Sequence, residues 1–340
     1  MHALKLTVSA NNFGFFMYCL SCLARMVVPV CLVFACGLTI GQPAYPNKQI
    51  RILLPFPAGG STDPIARLLG QKLTENWGQP TIIDNRPGGN TIIGTEALTK
   101  APADGHTLLY TASTHVINSL LIPNMPYDSV KDFQPVATLV RSDFVLVVHP
   151  SVPARSLQEF IALAKAQPGQ LNYATSGNGN PNHLAGEYFG MVAGVKLNNV
   201  PYKGGGPAIT DLLGGQVQVM FSVPTAVTGH IKSGKLRALA YTGTTPIPGL
   251  SVPSFTQAGL PGFAMNSWNG VFVVAGTPRP IVNKLSAEIA KFLAMPDVKE
   301  KLAAQGQEPY YLDADQFSAM LASDRQKFSS IIKTANIKME

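Results

Sequence analysis

A short apolar strand, a turn with two adjacent glycines and a helix follow one another between Gln49 and Leu73, and this unit constrains the fold more than any other stretch. Gln49-Ile50-Arg51-Ile52-Leu53-Leu54 reads as a strand. Ile65, Ala66, Leu68, Leu69 and Leu73 fall at helical spacing. Between them lies Pro55-Phe56-Pro57-Ala58-Gly59-Gly60-Ser61-Thr62-Asp63. The first N–H groups of a helix have no partner inside it, and the helix dipole places its positive end there. Gly59 and Gly60 allow a close backbone approach. A strand, a glycine turn and a helix start therefore make a seat for a small anion.

The unit recurs. Thr81–Asn85 reads as a strand, Arg86-Pro87-Gly88-Gly89-Asn90-Thr91 as a turn and 92–100 as a helix, followed by a strand at 106–111 that ends at Ala112-Ser113-Thr114-His115. Further strands are expected at 136–140 and 144–148. The alternation then restarts. Ser156-Leu157-Gln158-Glu159 is a capping box opening a helix to Ala166. Leu171–Thr175 is a strand running into Ser176-Gly177-Asn178-Gly179-Asn180-Pro181-Asn182, with a helix from about His183. Strands at 197–201, 217–221 and 236–241, a helix at 208–213 and the turn Tyr202-Lys203-Gly204-Gly205-Gly206-Pro207 complete the second half. Trp268–Val274 reads as a strand returning to the first unit, and the stretches 281–294, 296–305 and 314–335 as helices that dock on it. Alternating strands and helices imply parallel sheets covered on both faces. The expected fold class is α/β, in two lobes joined near 145–150 and 264–268, each a mainly parallel sheet flanked by helices. The domains are then 45–146 plus 267–340 for the first lobe and 147–266 for the second.

Residues 1–44 read as an export signal, with Arg25 before an apolar run from Met26 to Ile40 and Gln42-Pro43-Ala44 as a cleavage site. Met17 is an alternative start, and Cys36 an alternative lipoprotein site. All four cysteines precede Tyr45, so a chain cut after Ala44 has neither disulfides nor thiol ligands. At 46% hydrophobic and 13% charged, the chain is not disordered. Its net charge of +7 falls to +5 without Lys5 and Arg25, and the charges form no basic run, so nucleic acid is not an expected partner.

Glycine turns follow strands at 57–62, 87–91, 176–182 and 203–207. In open parallel sheets ligands bind at the carboxyl ends of strands. Two lobes facing one another would enclose a cleft lined by helix starts, which suits a carboxylate. Neither Gly177-Asn178-Gly179 nor Gly204-Gly205-Gly206 matches a nucleotide fingerprint, and no cofactor is expected. The six histidines show no ligand spacing, so no metal is expected, and His183 is read as a loop-shaping hydrogen bond. Ser61 has no nucleophile elbow around it. Asp63 caps the helix, orders a water or acts as a catalytic carboxylate; Trp268 walls the cleft or packs the hinge.

Together these motifs resemble the tripartite tricarboxylate transporter solute receptors, the TctC or Bug family, from about Tyr45 to Asn336. The similarity is carried by Pro55–Asp63 with Ala66-Arg67, Asp84-Asn85-Arg86-Pro87-Gly88, Ala103–Leu108 and Asp132–Val136. In the second half it is carried by Tyr173–Gly179 with His183, Leu184 and Glu187, by Val200–Gly204, Leu213–Val217 and Gly234–Ala240, and by Trp268-Asn269-Gly270. The resemblance implies a periplasmic type II (venus flytrap) binding fold, no catalysis, and a small carboxylate gripped between the lobes. Carried over, the ligand-binding residues are Phe56, Pro57, Ala58, Gly59, Gly60, Ser61, Thr62, Asp63, Ser113, Thr114, Thr175, Ser176, Gly177, Asn178, Lys203 and Gly204. Implied partners are the carboxylate and the membrane components of a tripartite transporter, with the receptor monomeric. Two departures stand out. Gly88-Gly89-Asn90 replaces Gly-Ala-Gly or Gly-Ala-Ser, and Ser222-Val223-Pro224 begins without the acidic residue common there, which argues against an ammonium group on the ligand. A sensor for a membrane signalling protein and a periplasmic hydrolase are the competing readings.

Overall fold

The computed structural model describes residues 45–60, 62–247, 249–304 and 307–338. The expected export signal, Cys36 included, lies outside the described residues, as does Ser61. In chain order the elements are β1 (Ile50–Leu54), α1 (Asp63–Trp77), β2 (Thr81–Asn85), α2 (Ile92–Thr99), β3 (Thr107–Ala112), α3 (Thr114–Leu121), β4 (Phe133–Asp143) and β5 (Val145–Val148). They continue with α4 (Leu157–Ala166), β6 (Asn172–Thr175), α5 (Pro181–Ala193), β7 (Asn198–Pro201), α6 (Gly205–Leu213), β8 (Val219–Ser222), α7 (Pro224–Lys232) and β9 (Arg237–Tyr241). β10 (Asn266–Val274), α8 (Arg279–Ala294), α9 (Pro296–Ala304), β11 (Glu308–Pro309) and α10 (Ala314–Thr334) close the chain.

Two sheets organise two lobes. The first lobe has a six-stranded sheet in the order β11-β4-β10-β3-β1-β2, and the second a five-stranded sheet in the order β7-β6-β8-β5-β9. Each sheet is mixed, where the strand–helix alternation predicts mainly parallel ones. β1 pairs in parallel with β2 and β3, and β6 with β7 and β8, as strand–helix–strand units must. The strands that carry the chain between lobes return without a crossover helix and run antiparallel, β10 against β3 and β4, and β5 against β8 and β9. β1 is apolar nearly throughout because it lies inside the sheet with helices packed near it.

The chain leaves the first sheet at Asp143, enters the second at Val145, and returns between Tyr241 and Asn266. The two crossings are tied together. The Phe144 N–H donates to the Thr242 hydroxyl at 2.9 Å, and the Thr242 N–H to the Phe144 carbonyl at 2.9 Å. Gly243 lies against Asp143, where a Cβ would stand 1.9 Å from the carboxylate. Trp268 packs the junction: it is 1% exposed, donates from Nε1 to Asp324 at 2.7 Å, and meets Phe317 edge-on. In the second lobe Phe160, Phe189, Phe221, Phe255 and Phe263 form the aromatic core.

Local signals explain several ends. α1 stops at Gly78 in the left-handed region. The Ser156 hydroxyl accepts from the Glu159 N–H, as a capping box requires, but Glu159 reaches back to the Arg155 N–H rather than to that of Ser156. α3 and α7 are not foreseen in the sequence. Neither has a capping side chain; α3 is buried nearly all round, and α7 carries Gly229 and buries only Pro224 and Val227.

Candidate functional site

The turn after β1 is built around Asp63. One carboxylate oxygen accepts from the Gly59 N–H at 3.0 Å and from Arg67 Nε at 2.8 Å. The other accepts from Asn85 Nδ2 at 3.0 Å. The same Asn85 amide donates to the Phe56 carbonyl at 3.1 Å, and its oxygen accepts from the Arg67 guanidinium at 3.1 Å. Burial alone would push the Asp63 carboxyl up, but the bonds from Arg67, Gly59 and Asn85 outweigh it and hold the group below its ordinary range. Asp63 is therefore a loop keystone, with its oxygens spent on the protein.

The turn after β6 does the same work without charge. Asn182 Oδ1 accepts from the Ser176 hydroxyl at 3.0 Å, and Asn180 Nδ2 donates to the Ser176 carbonyl at 3.0 Å. His183 Nδ1 accepts from the Gly179 N–H at 3.1 Å, which fixes the neutral tautomer with its proton on Nε2. Burial pushes this imidazole down to about 4. The Thr175 hydroxyl donates to Asn199 Oδ1 at 3.0 Å, and Asn199 Nδ2 donates to Asn178 Oδ1 at 2.9 Å.

Between these turns lies a cavity of about 300 Å³. The first lobe lines it with Phe56, Thr62, Ala112, Thr114 and Gln307, and the crossing strands add Ser142, Phe144, Ser267 and Asn269. The second lobe contributes Ser176, Asn180, Pro181 and Asn182, then Gly205 and Ile209, then Met220 to Val223 with Thr225 and Ala226. Among the described residues, five helices (α1, α3, α5, α6 and α7) begin at this lining. No Asp, Glu, Lys, Arg or His belongs to the described lining. Strand alternation explains one absence: Ser142 and Phe144 face the cavity while Asp143 faces the opposite side of the crossing, where Arg141 is 3.9 Å away. There burial, only partly offset by Arg141, pushes the Asp143 carboxyl up to about 6. The Thr114 hydroxyl is buried without a partner among the described residues.

Of the residues singled out in the sequence, Phe56, Thr62, Thr114 and Ser176 meet at the cavity. Pro57, Ala58 and Gly59 are exposed beside it, and Gly60 and Asp63 shape the turn. Ser113 is fully buried, its hydroxyl 3.1 Å from that of Ser267. Thr175, Gly177, Asn178, Lys203 and Gly204 are outside the lining. The residues that sequence reasoning does not reach are those of the crossing strands, β8 and α7, together with Ala112, Ile209 and Gln307. The alternation in Ser142/Phe144 and Ser267/Asn269 is the signal that could have found the first group.

The described lining is polar through hydroxyls and amides and apolar through Phe56, Phe144, Ile209, Met220, Phe221 and Val223, and the helix starts add partial positive charge. Such a lining can offer N–H and O–H donors to an anion and apolar surface to an uncharged body. Among the described residues no group of three or more His, Cys, Asp or Glu could hold a metal ion, and no helix is long and apolar enough to cross a membrane.

Residues 65–337 match the family described as the tripartite tricarboxylate transporter family receptor. A Bordetella pertussis protein named BugT is 36% identical over 306 residues, covering 88% of this chain and 93% of that protein. Rpa4515 of R. palustris, solved with adipate, is 34% identical, with a TM-score of 0.76 over 86% of this chain and 99% of its own. MatC of Rhodopseudomonas palustris, solved with malate, is 29% identical, with a TM-score of 0.71 over 85% of this chain and 100% of its own.

Proposed function

The chain belongs to the tripartite tricarboxylate transporter receptor family, whose members are solute receptors and not enzymes, and from that premise we propose that it is an exported receptor for a small carboxylate, working in the periplasm with the membrane components of a tripartite transporter. The observation that carries the ligand class is the uncharged cavity onto which five helix starts open. Backbone N–H groups and the helix dipoles favour a carboxylate there without a lysine or arginine. The adipate and malate bound to related structures support the same class.

The rest of the ligand is an organic, dicarboxylic or aromatic acid with no amino group. An ammonium in this cavity would meet a positive field and no carboxylate, and burying an unpaired charge costs several kcal/mol. The grip comes from Phe56, Thr62 and Thr114 on one side and from Ser176 on the other; Gly59, Gly60, Asp63 and Ser113, and Thr175, Gly177 and Asn178, shape the turns behind them, while Lys203 and Gly204 stay outside the lining. The lobes, 45–146 with 267–340 and 147–266, close about the crossings on a monomeric receptor.

Titration calorimetry with succinate, adipate, malate, citrate, nicotinate and terephthalate beside aspartate and glutamate tests the reading. At least one of the six acids without an amino group should bind at micromolar concentration. Binding of the amino acids alone would overturn the ligand preference, and binding of none would overturn the carboxylate reading.

A further inference from the structure

The turns on either side of the cavity share a device that lies outside it. Each is fastened by one asparagine on the neighbouring edge strand. Asn85 ends β2, the edge of the first sheet, in register with Leu54 of β1. Asn199 lies in β7, the edge of the second sheet, in register with Tyr173 of β6. Each makes paired contacts through one planar head. Asn85 donates to the Phe56 carbonyl at 3.1 Å and to Asp63 at 3.0 Å while accepting from Arg67 at 3.1 Å. Asn199 donates to Asn178 at 2.9 Å while accepting from the Thr175 hydroxyl at 3.0 Å. Neither belongs to the cavity lining.

We propose that Asn85 and Asn199 are paired positioning residues of the binding site, each setting from behind the path of the turn that presents N–H groups to the ligand. This rests on the carboxylate reading above. The chemistry explains the residue type. Each position faces both donors and acceptors, so an aspartate loses the donor and an aliphatic side chain loses both. Position 85 is also beside a carboxylate. An aspartate there would lie where Asn85 Nδ2 is now 3.0 Å from Asp63, and two carboxylates at that spacing must share a proton. Arg67 is the cation facing them; Arg51 and Arg86 are engaged by Asp84.

The test combines calorimetry with adipate and hydrogen-exchange mass spectrometry on the wild type, Asn85→Ala, Asn199→Ala and Asn85→Asp between pH 5 and 8. Each alanine variant should bind adipate about tenfold more weakly, with faster exchange in its own turn and an unchanged turn in the other lobe. Asn85→Asp should bind weakly at pH 8 and recover about threefold or more at pH 5, while Asn85→Ala stays flat, a signature that simple loss of packing does not produce. Alanine variants within twofold of wild type would overturn the proposal, as would an Asn85→Asp curve that tracks Asn85→Ala throughout. If wild type binds none of the acids tested, the carboxylate reading falls, and exchange decides the positioning role separately: unchanged exchange in both turns would end it.

Discussion

The two turns that face the cavity perform one task with different electrostatics. In the first lobe a carboxylate, a guanidinium and an amide (Asp63, Arg67 and Asn85) hold the turn at Phe56 and Gly59. In the second, residues 175–183 are held by asparagines, hydroxyls and a neutral imidazole. Both keep formal charge out of the described lining, which is left with helix starts, hydroxyls and amides. The difference appears in acid. Asp63 has a lowered pKa, so its contribution is complete above its ordinary value of 3.8 and is lost as pH falls through the lower folded value. His183 is held neutral with a folded value of about 4 against 6.5, so the unfolded chain binds the extra proton between those values. The second turn should therefore weaken as pH falls from 6.5 towards 4, a range in which the first is unaffected.

The largest effect expected from this contrast is in stability. Wild type should lose up to about 3 kcal/mol through His183 between pH 6.5 and 4. His183→Gln should remove that part of the slope in urea titrations at several pH values, with His115, also pushed down to about 4 by burial, remaining in both proteins. Equal slopes would break the contrast. Next, Asp63→Ala leaves the Gly59 N–H, Arg67 and Asn85 without their acceptor and should cost about 1–3 kcal/mol of carboxylate affinity in calorimetry; an unchanged affinity would mean that the first turn keeps its shape without its charge. Gly59→Ala should cost about 1 kcal/mol in thermal unfolding, because the left-handed φ of 77° is its sole penalty and nothing lies within 4 Å of a Cβ there. Gly177→Ala should cost more, since φ is 128° and Asn180 Nδ2 is 3.0 Å from the added atom. The smallest change belongs to Lys203→Ala: the side chain is exposed and outside the lining, so affinity should move by less than about 0.5 kcal/mol.

The first turn and its flanking elements are legible in the sequence because their signals are local: an apolar run, paired glycines, then apolar residues at helical spacing. The second turn is legible for the same reason. The rest of the lining is not, because it is assembled by convergence. Thr225 and Ala226 reach the cavity on a helix that has no capping side chain and little apolar periodicity. Ser142 and Ser267 are ordinary strand serines until β4 and β10 pair and bring them to the crossing. Gln307 arrives from a tail distant in sequence. The fastening role of Asn85 is likewise hidden, since it depends on a register between β1 and β2 that sequence alone does not set.

The reciprocal bonds between Phe144 and Thr242 make the two inter-lobe connections a single pinned seam. A shift at either connection is passed to the other through these two bonds, so two separate passages of the chain act as one joint.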